Sequence, residues 1–127
     1  MPVRLDHTVV NSSDRFVAAR FFAELIGAPE PAVNGPFAAV VVENGVTIDY
    51  ADHFIPRDQI QMQHLAYHVS DEEFDAIHAR VVEKGLEYWA DPYHKRSGEL
   101  NAMHGGRGFY VNDPDGHNLE FFTRTAA

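Results

Sequence analysis

Four side chains have the chemistry of a metal site: His7, Asp49, His64 and Glu120. Two imidazoles and two carboxylates form a strong ligand set for a divalent first-row ion, and with no cysteine in the chain they favour Mn, Fe, Co, Ni or Zn. Glu120 makes the strongest demand. It sits between Leu119 and Phe121 in DPDGHNLEFF (113–122), a run that otherwise asks for burial. An unpaired carboxylate there is costly unless it meets a solvated cavity or a cation.

The elements that must position these residues read as two copies of one unit. RLDHTVV (4–10) alternates as a strand, and SSDRFVAARFFAELIG after it has helical apolar spacing at Phe16, Phe21 and Leu25, closed by Gly27. FAAVVVE (37–43) and VTIDYA (46–51) read as strands joined by Asn44 and Gly45 in a tight-hairpin signature. The second half repeats the order. QHLAYHV (63–69) is a strand, and Ser70 with Glu73 makes a capping box for a helix carrying Phe74, Ile77 and Val81, closed by Gly85. LEYWA (86–90), GFYVN (108–112) and HNLEFFT (117–123) supply further strands, with DPDG a folding turn before the last.

His7 to Gly27 and His64 to Gly85 span nearly equal lengths, so His64 is the counterpart of His7. GVTIDY (45–50) aligns with GHNLEF (116–121), placing Gly45 on Gly116 and Asp49 on Glu120. Two prolines in APEPAVNG (28–35) predict a short or bent edge strand in the first copy. The second copy carries a polar insertion, DPYHKRSGELNAMHGGRG (91–108), of the kind that forms functional loops. The expectation is an α+β fold, one domain over 1–127, with two βαβββ modules at about 3–55 and 60–124. These would form a curved mixed sheet around a metal or ligand cleft. First and last strands would point the four candidate ligands inward, with Val10, Ile48, Leu65 and Phe121 facing the helices.

Ten Lys and Arg against nineteen Asp and Glu give a net charge of −9, which disfavours nucleic acid and anionic membrane surfaces as partners. The absence of cysteine rules out disulfides, thiolate metal sites and cysteine nucleophiles. The N-terminal MPVRLDH leads straight into a strand pattern, without a signal-peptide core, so a cytoplasmic protein is expected.

LDHTVV, HLAYHVSDEEFDAI and GGRGFYVNDPDGHNLEFF resemble the paired strand starts and terminal hairpin of the vicinal oxygen chelate superfamily, the group of glyoxalase I, bleomycin resistance proteins, fosfomycin resistance enzymes and extradiol dioxygenases. The resemblance covers about residues 3–124. It implies metal ligands at His7, Asp49, His64 and Glu120, and a metal that chelates two adjacent oxygens of a small substrate. Glyoxalase-like lyase or isomerase chemistry is the favoured reading, with Glu120 or Asp49 moving a proton as general base. Glyoxalase I usually has glutamate where this chain has the shorter Asp49. An extradiol-type dioxygenase would use His7, His64 and Glu120 alone, leaving Asp49 as an extra. A metal-independent binding protein that sequesters an antibiotic or toxin would need none of the set.

Other side chains could complete such a site. His68 shares its strand face with His64 as an acid–base or supporting residue. His104, Arg107, Arg96 and Lys95 of the insertion could form a lid over an anionic substrate. Trp89, Tyr93 and Phe109 read more readily as core than as substrate-stacking rings. No motif reads a thiol peptide, so glutathione use is not inferred. The chain order allows a homodimer, which is the expected assembly.

Overall fold

Each half of the chain runs strand, helix and three further strands. The computed structural model describes residues 1–126, which divide into unit 1, Met1–Gln61, and unit 2, from Met62 onward. Unit 1 contains β1 (His7–Asn11), α1 (Arg15–Ile26), β2 (Ala32–Asn34), β3 (Phe37–Val41) and β4 (Thr47–Ala51). Unit 2 contains β5 (His64–His68), α2 (Asp71–Glu83), β6 (Tyr88–Trp89), β7 (Gly108–Asn112) and β8 (Asn118–Phe122). The sheets are ordered β1-β4-β3-β2 and β5-β8-β7-β6. In each, the first strand pairs parallel to the last and the other neighbours are antiparallel. The α+β architecture of two equivalent βαβββ units is therefore present.

The repeat holds at the level of register. His7 pairs with Thr47, two residues before Asp49, and His64 pairs with Asn118, two residues before Glu120. The turns also match. Gly45 N–H donates to Val42 O and Val42 N–H to Val46 O, while Gly116 N–H donates to Asp113 O and Asp113 N–H to His117 O. Gly45 and Gly116 take left-handed φ of 85° and 83°. The β3–β4 connection is thus a three-residue loop closed by a left-handed glycine, rather than the tight two-residue hairpin expected at Asn44–Gly45. A tight turn of that kind needs positive φ at both central residues, and Asn44 does not adopt it.

Capping sets the helix ends. Asp14 Oδ1 accepts from Phe16 N and Val17 N, and Ser70 Oγ from Glu73 N. After the helices, Ala28 N–H returns to Ala23 O and Leu86 N–H to Val81 O, with Gly27 and Gly85 in the left-handed region. Helix α2 buries Phe74, Ile77 and Val81 as its periodicity predicts. Helix α1 differs: its buried face is Ala18, Ala19, Phe22, Ala23 and Leu25, while Phe16 and Phe21 are half-buried. The small residues suit a face packed on β3, where Ala38 is fully buried, while Phe22 meets the buried Tyr50 ring of β4. In unit 2 the matching core is aromatic, with Phe74, Phe109 and Phe121 fully buried and in ring contact. Each such ring contributes roughly 1.5–3 kcal/mol through removal from water. The proline-bearing edge is short, as expected: β2 has three exposed residues.

Candidate functional site

The period of two in each sheet leaves one face to the helix and one open. On β8, Leu119 and Phe121 point into the core with Phe109, so Asn118, Glu120 and Phe122 lie on the open face. In unit 2 the cross-strand row Trp89, Tyr110, Glu120, Ala66 runs over that face, with His64 opposite Asn118 in the next row. His64 Nε2 donates to Glu120 Oε1 at 3.0 Å. The Tyr110 hydroxyl also bonds Glu120; burial first, then the adjacent carboxylate, pushes that phenol up to about 12. Glu120 is only 8% exposed, so its charge is held by these donors.

In unit 1 the equivalent pair is arranged differently. Asp49 is 4% exposed and accepts from Asn34 Nδ2 at 3.1 Å. His7 Nδ1 lies 2.7 Å from Asp6 Oδ2. The imidazole's affinity for a proton is raised chiefly by that bond, with Asp49 adding to it through its charge. Opposite Asp49 stands Ala39 instead of a tyrosine.

His64 Nε2 and Glu120 Oε1 have the chemistry and separation of neighbouring ligands, since two donors each about 2.1 Å from one ion at a right angle are about 3.0 Å apart. The pairs are otherwise incomplete. Among the described residues, no group of three or more His, Asp or Glu that could hold a metal comes together within either unit.

The insertion is more ordered than its polar composition suggests. Asp91 accepts from Lys95 N and Arg96 N, which holds its carboxyl low against an opposing burial effect. Ala90 N–H bonds Arg96 O, and Gly98 N–H bonds Tyr88 O. At the bend His94 takes φ 59°, a backbone that costs a residue other than glycine roughly 1–2 kcal/mol. Its ring stacks on Trp89 at 3.7 Å and 6°, and its Nε2 lies 2.9 Å from Asn118 Oδ1. Farther on, Asn101 and Gly108 exchange backbone bonds so closely that a Cβ on Gly108 would meet Asn101 Oδ1 at 2.8 Å.

The remaining candidate residues have other neighbours. His68 Nε2 donates to Thr123 O at 3.1 Å, and its ring stacks on Phe122. Arg107 is engaged with α2, bonding Asp75 and Asp71 and lying over the Phe74 ring at 4.5 Å. Arg96 pairs with Glu99 in an exposed ion pair. His104 is exposed in a short 3-10 turn at φ 56°, and Lys95 is exposed. Phe109 is core, Trp89 is a buried open-face residue and Tyr93 is exposed. Tyr110, Asn118, Asn34 and His94 were not among the expected site residues. Tyr110 could have been found by counting outward from the DPDG turn, which sets it opposite Glu120.

Comparison with known proteins agrees with this geometry. The chain is 47% identical to "Oxidase ChaP-H1", covering 97% of both chains with a TM-score of 0.92. It is 48% identical to "Oxidase ChaP-H2" over 98% of this chain and 96% of that one, with the same TM-score of 0.92. Metallothiol transferase FosB of Lysinibacillus sphaericus is 27% identical over 124 residues, 95% of this chain and 82% of that protein. The family model of the Glyoxalase/Bleomycin resistance protein/Dioxygenase superfamily matches residues 4–121, and with both units in the order and register described, the chain belongs to that superfamily.

Proposed function

We propose that the protein is a divalent-metal-dependent enzyme acting on a small planar substrate with adjacent oxygens, and that its reaction is an oxidation. The observation that carries the reading is the His64–Glu120 pair, preassembled at 3.0 Å on an open face whose other side chains include Tyr110 and Trp89. His64 and Glu120 serve as ligands in unit 2, and His7 and Asp49 are the corresponding candidate ligands in unit 1. A metal held by these residues would supply a Lewis acid for two neighbouring substrate oxygens. Likeness over nearly the whole chain to two proteins named oxidases supports oxidation over the isomerisation favoured from sequence.

The chain's own residues have definable parts in such a reaction. Tyr110 orients the Glu120 carboxylate, which takes or returns a proton at the substrate. The His94 ring, backed by the buried Trp89, presents a flat face that seats a planar ring and excludes water from one side. His68 steadies the end of β8 through Thr123. His104 and Arg96 are the insertion's candidates for contacting a charged substrate group, whereas Arg107 is committed to α2. A homodimer is the proposed assembly.

Elemental analysis of protein purified without added metal or chelator, beside His64→Ala, tests the proposal. Near-stoichiometric iron that vanishes in the variant, followed by oxygen uptake with catechol, is the expected result. Equal metal content in both proteins would sink the ligand assignment. Zinc, nickel or cobalt with no oxygen uptake would return the reading to isomerisation. No metal after reconstitution with each ion would favour a ligand-sequestering protein.

A further inference from the structure

His94 combines features that a loop anchor alone would not need. Asn118 Oδ1 can only accept, so the 2.9 Å contact requires the proton on His94 Nε2. The assignment of the amide is supported by its other end, where Asn118 Nδ2 donates to Pro92 O at 3.3 Å. In the neutral ring the lone pair is therefore on Nδ1. That nitrogen has no hydrogen-bond partner among the described residues. Asn118 is itself only 3% exposed and shares the open face of β8 with Glu120. The Trp89 stack then fixes the plane of the ring, and the left-handed bend at residue 94 turns the chain to bring it there. The result is an oriented, tautomer-locked acceptor held on Asn118, the β8 residue whose register partner is His64.

We propose that His94 is a substrate-contacting general base, whose Nδ1 takes the proton of a substrate hydroxyl while Asn118 holds Nε2–H. The inference rests on the reading that a ligand with adjacent oxygens occupies this face. In the step, the O–H bond breaks, the oxygen keeps the electron pair, and an Nδ1–H bond forms. Asn118 still accepts from Nε2–H of the resulting imidazolium, so the hydrogen bond survives the transfer. His94 thereby sets specificity for ligands with a free acidic hydroxyl over those with an ether at the same position.

The test uses 4-nitrocatechol, whose visible absorption differs between its singly and doubly ionised forms. It is added to the protein as isolated, at a pH where the free probe retains one proton. Trp89 is the single tryptophan, so its quenching reports occupancy next to His94. The wild type is expected to bind the probe as the dianion. His94→Phe, matched for metal content, keeps a flat ring on Trp89 but is expected to bind about three- to tenfold more weakly, with the probe still singly ionised. The same dianion spectrum in both proteins would overturn the role of His94 and leave the functional reading intact. No binding to the wild type would sink the underlying reading and this proposal with it. Nitrogen NMR of the wild type supplies a second measurement that does not depend on the variant folding: an Nε2–H tautomer for His94 is expected, and Nδ1–H would overturn the proposal.

Discussion

In unit 1 the position opposite the strand carboxylate holds Ala39, and in unit 2 it holds Tyr110. The same contrast recurs around both pairs. Asp49 takes a neutral amide donor from Asn34 while His7 turns to Asp6; Glu120 takes His64 directly. Pairing of the first and last strands and the turn between the last two are equivalent in the two units, so at these two pairs side-chain choice makes the difference. A duplicated scaffold can thus place two His–carboxylate pairs identically and assemble only one in advance. The preassembled pair is the one whose surroundings are aromatic.

The largest expected effect exploits this contrast at the ligands. Glu120→Ala should abolish near-stoichiometric metal binding, measured by titration with cobalt(II), because it removes a proposed ligand from the assembled pair. Asn34→Ala, which removes only a partner of Asp49, should weaken binding by about tenfold. Equal losses would show that the two pairs contribute alike despite their different states of assembly. The next contrast lies on the helix-facing side, where Phe109 of unit 2 occupies the register position of Ala38 in unit 1. Phe109→Ala should cost about 3–5 kcal/mol in urea unfolding, because the ring is fully buried against Phe74 and Phe121. Ala38→Phe should also destabilise, by about 1–3 kcal/mol, since the alanine is fully buried where the sheet meets α1.

Tyr110 adds a pH-dependent difference that Ala39 cannot show. Its phenol is raised from 10.0 to about 12 in the folded protein, by burial and then by Glu120. A group whose folded pKa is raised contributes stability in full below its unfolded value and loses it as pH rises through the folded value. The contribution is therefore intact below pH 10 and fades towards about 12. Tyr110→Phe should flatten the alkaline limb of the stability curve over that interval and remove the phenolate absorbance that grows in towards about 12, leaving the still later one of Tyr67. An unchanged alkaline limb would mean that Tyr110 ionises like an exposed tyrosine.

Much of this was legible from local pattern. The two βαβββ units, the short proline-bearing edge, the α2 core face and the equivalence of Asp49 with Glu120 follow from periodicity, glycines and spacing. What escaped was set by partners distant in the chain. The α1 face was misread because Phe16 and Phe21 outweigh alanines by hydrophobicity, whereas the fit against Ala38 favours the smaller side chains. Tyr110 looked like an ordinary alternating strand residue until cross-strand register set it beside Glu120. His94 gave no local signal, since its place depends on a loop returning to Trp89 and Asn118.

The smallest contrast is at the helix starts. Asp14 accepts two backbone N–H groups at the start of α1, whose first turn has no acidic residue. Ser70 accepts one, and α2 follows it with Asp71, Glu72 and Glu73. Negative side chains near an N-terminus stabilise the exposed peptide dipoles, so α2 retains part of that stabilisation when its cap is lost. Asp14→Ala removes from α1 both its hydrogen-bond acceptor and its capping charge. It should cost about 1–2 kcal/mol in thermal or urea unfolding, against about 0.5–1 kcal/mol for Ser70→Ala. If Ser70→Ala proved the costlier change, the α2 acids would be contributing little at the N-terminus. Competition from Arg107 and Arg124, which both bond Asp71, would be the physical reason. Neutralising Arg124 with glutamine should then free Asp71 to act on the helix end and reduce the Ser70→Ala penalty.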